Sequence, residues 1–457
     1  MIPFRDESKR FQTRDSPLTK SLRESSAARA TYSCFISVGC FVLVRIVYLY
    51  LLDPGVRQSD WDFLKRCMSD FHHFVFGWLT LLSIFTIIGC SATKVRVTIS
   101  MPALIYFPIV FSYLTGSFVF AVLHNLSTKL HVSMALALSI EHVRMVMKMI
   151  SFVVENERKL SGLPIDCHSN QTKPEPPTFK SFLYFMIAPT LLYRDKYPRS
   201  ESPFKYRSFV TWSLQCFVTA VVGLHLANQV GNPSAKYVGL VPITAGVFMD
   251  LLSWSFVGGT FTYIITIGYV YLHCYCNASA EVLRFGDRRF YGNWWSAPNL
   301  CMGFGWWNYV LNSWLVEYAH KPVIHWTGSR PVAGAVVFAV SAFLHDYVMS
   351  AALGFMFTMW TIAGFFLIPG FLLWVRARPR TASLYRVTPV PTTDENGERG
   401  QPLNLCFFLT LFTIVTVLAF LTAGEYFAHQ NCRPNGETWY WKVLPRFFTC
   451  LMLHMDK

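Results

Sequence analysis

The sequence predicts an all-α, polytopic integral membrane protein, and its composition and hydropathy both indicate this class. The 457 residues are 53% hydrophobic and 16% aromatic but only 14% charged, which is too apolar for an ordinary soluble domain. Eight stretches reach the roughly 18 to 20 apolar residues that cross a bilayer; they lie at about 31–52, 73–91, 101–123, 207–229, 250–275, 331–350, 352–375 and 404–424. A ninth span could come from 236–250 or 304–317, which are apolar but short.

Basic residues flank these apolar stretches. The net charge is +14, but the cations sit in tails and loops, where anionic lipid and the positive-inside rule account for them. No nucleic-acid partner is therefore expected. The first thirty residues contain seven basic groups and lack the leading apolar core of a cleaved signal peptide. We predict a cytosolic N-terminus.

The chain divides into a short tail and one large domain. Residues 1–30 are interpreted as a polar, mobile cytosolic tail, and 31–457 as a single membrane-embedded domain. Within that domain, 157–180 and 376–403 are polar loops, and the arginines of 376–403 place it in the cytosol. The segment 425–457 then lies in the lumen. No glycine-rich phosphate loop or paired CxxC spacing occurs, so nucleotide hydrolysis and a structural metal site are not predicted.

The segment 141–156 has a helical pattern, with Arg144 and Lys148 one turn apart on one face. Because its other face is apolar, we expect the helix to lie at the membrane surface. Two interpretations stay open. The helix is either a scaffold at the interface or a carrier of cations for an anionic ligand.

His345 is the most informative ionisable residue. It lies in an apolar helix predicted from Pro331 to Gly354, about 21 Å along the axis and well inside the hydrocarbon. A histidine at that depth marks either a functional site or a hydrogen-bonded contact in a packed bundle. Ser341 is four positions earlier and shares its face, whereas Asp346 points elsewhere. Imidazole titrates near neutral pH, which suits it to accept a proton from a hydroxyl.

A second polar cluster, FGDRRFYGNWWS at 285–296, lies between two apolar stretches. Its aromatic and arginine side chains are typical of a membrane interface. Twelve residues further on, Asn308 is an amide in the aromatic segment WWNYVLNSW. Such an amide serves either a helix-helix hydrogen bond or a substrate carbonyl, and the pattern does not decide between them.

Three segments together resemble a known family. APTLLYRDKYPR (188–199), LHCYCNASAEVLRFGDRRFYGNWWS (272–296) and SAFLHDY (341–347) are similar to the sterol O-acyltransferase branch of the membrane-bound O-acyltransferases. The similarity runs in order from about residue 140 to the end. It implies a fold of about nine transmembrane helices in the endoplasmic reticulum membrane, with long-chain acyl-CoA and a sterol as substrates and no resident cofactor. It leaves a homodimer or higher homo-oligomer open.

The resemblance also assigns roles to single residues. The family's catalytic histidine falls on His345 and its catalytic-site asparagine on Asn308, so that His345 would act as general base and Asn308 would stabilise the oxyanion. Lys148 and Arg199 are further candidates for CoA phosphates. The expected substrate-binding residues, including the basic residue that begins the histidine helix, are Ser341, Trp307, Arg330, Trp294, Trp295, Tyr291 and Asn293.

The chain departs from the family pattern at four positions. Asn293 replaces the family's acid, Ser296 its amide, Asp346 its glutamate and Asn312 its histidine. Both catalytic side chains remain. Three alternatives stay open: the same chemistry on diacylglycerol or a fatty alcohol, a non-catalytic sterol-binding or transport protein, and a channel or carrier.

The family has a disulfide where this chain has Cys432 and Cys450. Arginines before 404–424 place the start of that span in the cytosol, so its end emerges in the lumen, where disulfides persist. A cytosolic N-terminus with a luminal C-terminus requires an odd number of spans. The eight clear stretches therefore need a ninth.

Overall fold

The structure, a computed structural model, describes the ranges 11–99, 101–160, 177–231, 235–240, 244–260, 263–297, 300–362, 405–432 and 446–447. Within these ranges the regular secondary structure is helical, and the isolated bridges pair Arg14 with Asp287 and Arg199 with Phe285. The predicted all-α class is confirmed.

The first half of the chain forms eight helices, α1 to α8. Asp53 ends one helix and begins the next, because its carboxylate accepts the backbone N–H of Gly55 at 2.9 Å and of Val56 at 3.3 Å. A π-helix, Ile84–Gly89, joins α4 to α5. The helices are α1 Pro17–Glu24, α2 Ser26–Leu52, α3 Pro54–Cys67, α4 Phe71–Ser83, α5 Cys90–Thr98, α6 Ala103–Thr128, α7 Val132–Leu160 and α8 Phe179–Ile187.

The second half alternates α-helices with π-helical turns. The α-helices are α9 Tyr206–Leu226, α10 Ala245–Trp254, α11 Cys276–Val282, α12 Leu300–Trp307, α13 Tyr309–Leu315, α14 Lys321–Thr327, α15 Arg330–Leu353, α16 Met359–Ile362 and α17 Leu405–Asn431. The π-helical turns are Ala227–Gly231, Ser255–Thr260, Ile264–Tyr275 and Val316–His320, and Trp294–Ser296 is a 3-10 turn. Such π-turns are frequent near functional sites.

Six of the described helical stretches are long and apolar enough to cross a membrane: Ser26–Leu52, Pro54–Thr98, Ala103–Thr128, Tyr206–Gln229, Arg330–Leu353 and Phe408–Asn431. They correspond to six of the eight predicted stretches. The predicted span 250–275 comprises the end of α10 and two π-helices, with 261–262 outside the described residues, and most of 352–375 also lies outside them. The chain is a membrane protein with several spans, and the count of nine stays a prediction.

Helix α7 corrects the prediction of a surface helix. Fourteen of its 29 residues are buried, so it packs inside the protein. Lys148 is 2% exposed, and burial lowers its pKa well below the usual range. It therefore cannot meet a phosphate of CoA. Its ammonium group instead donates to the carbonyl oxygens of Phe185, Met186 and Ala188 at 2.6, 3.0 and 2.7 Å.

The N-terminal segment is also different from the predicted mobile tail 1–30. Residues from 11 onward are ordered, and Arg14 is bound to the distant Asp287 through Nε to Oδ1 at 2.8 Å and Nη2 to Oδ2 at 3.0 Å. Backbone bonds reinforce this pair, since Arg14 N donates to Gly286 O and Arg288 N donates to Arg14 O. The prediction failed because charged residues indicate solvation only when no partner is found elsewhere in the fold.

Candidate active site

Helix α15 carries the predicted histidine. The hydroxyl of Ser329 accepts a hydrogen bond from Val332 N at 3.4 Å, and Pro331 lies in the first turn, where its missing N–H is not needed. Gly354 ends the helix with φ of 80°, in the left-handed region that glycine adopts without strain. The predicted helix from Pro331 to Gly354 is confirmed.

The imidazole of His345 is fixed by its own helix. Its Nδ1 lies 2.7 Å from the carbonyl oxygen of Ser341. A carbonyl oxygen only accepts hydrogen bonds, so Nδ1 carries the proton and Nε2 of the neutral ring carries the lone pair. Within the described part of the chain, Nε2 has no hydrogen-bond partner. The ring is partly exposed, and it therefore presents an available proton acceptor.

One face of the imidazole is covered by Trp360. The two rings are stacked, with centroids 4.4 Å apart and planes 29° apart. The neighbouring Asp346 is 7% exposed and accepts the backbone N–H groups of Trp360 and Thr361, each at 2.9 Å. Its carboxylate thus binds the chain after α15, in agreement with the expectation that it points away from the ring.

Asn308 occupies the break between α12 and α13. Its Oδ1 accepts the backbone N–H of Leu311 at 3.0 Å and so caps α13. Among the residues that the structure describes, the Nδ2 group has no acceptor. The side chain is partly exposed. The amide is therefore held by its oxygen and keeps its two N–H donors for another partner.

The loop 290–296 holds the backbone on both sides of Asn308. Before the asparagine, the carbonyl oxygen of Trp306 accepts from Gly292 N at 2.7 Å, and after it Tyr309 N donates to Phe290 O at 3.0 Å. These two bonds fix the register of the loop against the α12–α13 break. The loop therefore positions the amide.

Tryptophan side chains pack beside this amide. Trp307 is 7% exposed, with Trp294 edge-on at 4.6 Å and Tyr263 parallel to it at 6.2 Å. A Cβ at Gly268 would lie 2.9 Å from the Trp307 ring, so this close approach requires glycine. Trp295 packs edge-on against Trp294 at 5.6 Å. The aromatic cluster forms a rigid wall next to Asn308.

Two other loop residues were predicted to bind substrate. Tyr291 is 2% exposed, and its hydroxyl lies 2.7 Å from Nδ1 of His273 and accepts the backbone N–H of Leu18 at 3.4 Å. Asn293 is partly exposed and directly precedes the 3-10 turn. Tyr291 thus connects the loop to α1 and to the π-helix that contains His273. No motif in the sequence indicates a role for His273.

Asp287 and Arg288 of the cluster 285–296 are paired with opposite charges within the protein. Besides Asp287, Arg288 is 6% exposed and binds Glu281 at 2.5 Å. Arg289 lies over the ring of Tyr309 at 4.5 Å. Because burying a charge is costly unless it is paired, this arrangement stabilises the loop rather than offering it to anions.

Arg330 and Arg199 lie on the surface. Arg330 is the first residue of α15 and is exposed, without a hydrogen bond or ion pair to the described residues. Arg199 is also exposed, with its guanidinium 5.3 Å from the ring of Tyr184. Both remain available to an anionic ligand.

The structure contains a buried charge network that was not predicted from the sequence. Glu155 and Glu317 are 1% and 2% exposed, and Arg158 binds both, at 3.2 and 2.8 Å. Arg194 adds a contact to Glu155 at 3.1 Å. The hydroxyl of Tyr318 donates to the same carboxylate at 2.8 Å. This network joins α7 to the π-turn after α13, and the separate charges in the sequence gave no sign of it.

Helices α13 and α15 meet in one apolar cluster, which places the two predicted catalytic residues on packed elements. Val310 and Leu311 follow Asn308, and Leu344 precedes His345; all three pack in this cluster.

Within the described residues, no group of three or more His, Cys, Asp or Glu could hold a metal.

Of the two cysteines in the predicted disulfide, Cys432 lies within the described residues. Cys432 directly follows α17, and its Sγ lies 3.8 Å from the carbonyl oxygen of Gly239. Cys450 lies outside the described residues. The pairing stays a prediction.

Comparison with known proteins gives a family match. Residues 107–392, more than half of the chain, match MBOAT, the membrane-bound O-acyltransferase family. The matched range contains both His345 and Asn308, and it begins within α6.

Curated relatives carry the name sterol O-acyltransferase. The chain is 30% identical to sterol O-acyltransferase 1 of Cricetulus griseus over 314 residues, covering 68% of this chain and 53% of the relative. It is 24% identical to sterol O-acyltransferase 1 of Mus musculus over 470 residues and 27% identical to sterol O-acyltransferase 2 of Mus musculus over 481 residues. These two alignments cover 97% and 96% of this chain and 80% of each relative. The chain thus spans about half of the first relative and four fifths of the other two.

Proposed function

The chain belongs to the membrane-bound O-acyltransferase family, and from that premise we propose that it is an acyl-CoA-dependent sterol O-acyltransferase. It would transfer a long-chain fatty acyl group from acyl-CoA to the hydroxyl of a sterol and form a steryl ester. The sterol acceptor is supported by the names of the similar proteins. The observation that carries the proposal is the free Nε2 of His345, fixed by the Nδ1 bond to Ser341.

The proposed reaction begins with proton transfer. Nε2 of His345 takes the proton of the sterol hydroxyl while the hydroxyl oxygen attacks the thioester carbonyl carbon. The tetrahedral oxyanion accepts a hydrogen bond from Nδ2 of Asn308, whose own orientation is fixed by the cap on Leu311. The carbon–sulfur bond then breaks, and the CoA sulfur takes the proton from His345. No covalent acyl-enzyme is needed, since alcohol and thioester react directly.

The two substrates would reach His345 from different sides. Arg330 lies 15 residues before His345 on the same helix, which is about 22 Å at ~1.5 Å per residue. An exposed cation at that distance suits a phosphate of CoA bound in the cytosol, while the acyl chain extends towards the histidine. The sterol is apolar and would enter from the bilayer. The aromatic wall of Trp294, Trp295 and Trp307, followed by the partly exposed Asn293, is the proposed lining beside Asn308.

The proposed orientation rests on the charge pattern, and the proposed membrane and disulfide rest on the family resemblance. We propose the endoplasmic reticulum membrane, with a cytosolic N-terminus, a luminal C-terminus and a Cys432–Cys450 disulfide in the lumen. Thiol labelling of intact and permeabilised microsomes, before and after reduction, tests the pairing. The proposed bridge predicts that both cysteines label only after reduction, and labelling of either without reductant would contradict it. A homodimer or higher homo-oligomer stays open.

One experiment tests the activity and its acceptor together. Microsomes that express the chain receive labelled oleoyl-CoA with cholesterol, diacylglycerol or a fatty alcohol, and the products are separated by polarity. The proposal predicts labelled steryl ester above the level of microsomes without the chain. Label in triacylglycerol or wax ester alone would retain the chemistry and change the acceptor. No ester with any acceptor, from protein that is folded and in the membrane, would favour a non-catalytic sterol-binding protein.

A further inference from the structure

One face of α15 binds the segment 357–361, which follows the end of the helix. Asp346 and Ser350 are four residues apart and so lie on this face. The hydroxyl of Ser350 accepts the backbone N–H of Phe357 at 2.8 Å. One turn earlier, Asp346 accepts the backbone N–H groups of Trp360 and Thr361. Gly354 allows the reversal between these contacts, because it adopts positive φ.

Both carboxylate oxygens of Asp346 accept a hydrogen bond in this arrangement. Trp360 and Thr361 lie in the first turn of α16, where backbone N–H groups have no acceptor within their own helix. Each oxygen of Asp346 accepts one of them at 2.9 Å. The negative charge is also favourable at the N-terminal end of a helical turn. A carboxylate that is 7% exposed is therefore satisfied by two bonds that fix the backbone of Trp360.

The position of Trp360 matters because its indole lies on His345. The stacking distance of 4.4 Å leaves no room for the imidazole to tilt in that direction. In the proposed reaction the ring gains a proton and becomes a cation. The face of an indole attracts a cation more than a neutral ring, so the contact is stronger in the transition state than before reaction.

We propose that Asp346 and Trp360 are positioning residues for His345: Asp346 anchors the first turn of α16, and α16 holds the Trp360 indole on the imidazole. This inference rests on the proposed function, since it assigns the role of the general base to His345. Neither residue needs to contact substrate. Their shared effect is on the turnover number rather than on substrate affinity.

The test compares kcat and KM in variants that differ only in this arrangement. Trp360→Leu removes the π face and is expected to lower kcat about tenfold with KM for oleoyl-CoA and cholesterol within about twofold. Trp360→Phe keeps an aromatic face and is expected to retain kcat within about threefold. Asp346→Asn keeps one acceptor but turns an amide donor towards a backbone N–H, so kcat is expected to fall about tenfold.

Asp346→Glu keeps both carboxylate oxygens and is expected to restore most of the turnover lost in Asp346→Asn. Ser350→Ala is the matched control, because it removes a hydrogen bond of the same face without touching Trp360. It is expected to change kcat by less than about threefold. Each variant is also checked for its amount in the membrane and its thermal midpoint.

Two results would overturn the inference. Trp360→Leu with wild-type kcat, or with raised KM and unchanged kcat, would show that the indole does not act through His345. An equal fall of kcat in Asp346→Asn and Ser350→Ala would show that Asp346 stabilises the segment after α15 without acting specifically on His345. A parallel His345→Ala assay separates the hypotheses: loss of activity there with normal Trp360→Leu kcat rejects this inference alone, whereas full activity of His345→Ala rejects the proposed mechanism.

Discussion

Arg14 and Asp287 form a two-point ion pair although they stand 273 positions apart in the chain. The carboxylate also accepts Gln12 N at 3.3 Å and Arg289 N at 3.2 Å. Its side chain is 7% exposed, against 28% for Arg14. The segment before α1 is thus bound to the start of the cluster 285–296, whose residues 290–296 position Asn308.

The first prediction concerns this ion pair. Arg14→Gln leaves a buried carboxylate without its cation, which we expect to cost about 1 to 3 kcal/mol of stability. The midpoint of thermal unfolding in detergent should fall by roughly 1 to 3 °C in a chain of this length. Arg23→Gln is the control, because Arg23 pairs with Asp15 while 62% exposed, and such pairs contribute little. Equal midpoints for the two variants would show that the N-terminal contact contributes no stability.

The second prediction concerns the loop 290–296. A Cβ at Gly292 would lie 2.9 Å from the Trp306 side chain, so Gly292→Ala should displace the loop and with it the backbone bond to Trp306. We expect ester formation to fall at least about tenfold, since misplaced catalytic groups lose rate steeply. Asn293→Asp, the neighbouring control, should change activity by less than about tenfold. The two variants are compared by the rate of steryl ester formation at matched protein amounts. An inactive Asn293→Asp together with an active Gly292→Ala would show that the Asn293 side chain, and not the backbone position of the loop, matters for activity.

The sequence predicted the features that depend on local pattern. Spans were found from their length and apolar character, and His345 and Asn308 stood out because polar groups are rare in such segments. Contacts across the fold were not predictable. Lys148 looked like a surface cation because carbonyl oxygens around 185–188, which satisfy it, do not show in a sequence. The contact of Asp346 with Trp360 was hidden in the same way, since it depends on the chain reversal at Gly354.

The third prediction is a loss of stability at acidic pH. Burial lowers the pKa of His142 from 6.5 to about 4, while its nitrogens lie 2.9 Å from Ser117 Oγ and 2.7 Å from Tyr347 Oη. The unfolded state therefore binds more protons between pH 6.5 and 4, and stability falls as the pH is lowered through that window. The full difference corresponds to ~3 kcal/mol.

This pH effect is measured as the change in thermal midpoint between pH 7.5 and pH 5. We expect His142→Gln to show a smaller change than the wild type, and His325→Gln, at an exposed histidine in α14, to behave like the wild type. A wild-type pH dependence in His142→Gln would remove His142 as the cause.

The fourth prediction separates the two roles of Asn308. Asn308→Asp keeps an oxygen that caps Leu311 N but replaces the amide donor by a second, negative oxygen. The protein should therefore accumulate and remain folded while ester formation falls about 10² to 10³-fold, as on loss of an oxyanion donor. Asn308→Ala should lose stability as well, because it also removes the cap. Wild-type turnover in Asn308→Asp would show that the amide serves only as a helix cap.

The central claim is that Nε2 of His345 accepts the proton of the sterol hydroxyl, and one assay tests it most directly. Purified wild-type and His345→Ala proteins, matched in amount and thermal midpoint, receive labelled oleoyl-CoA and cholesterol, and the initial rate of steryl ester formation is measured. If His345 is the general base, the rate falls ~10² to 10⁴-fold or more in His345→Ala. Steryl ester formation at the wild-type rate by the folded variant would contradict it.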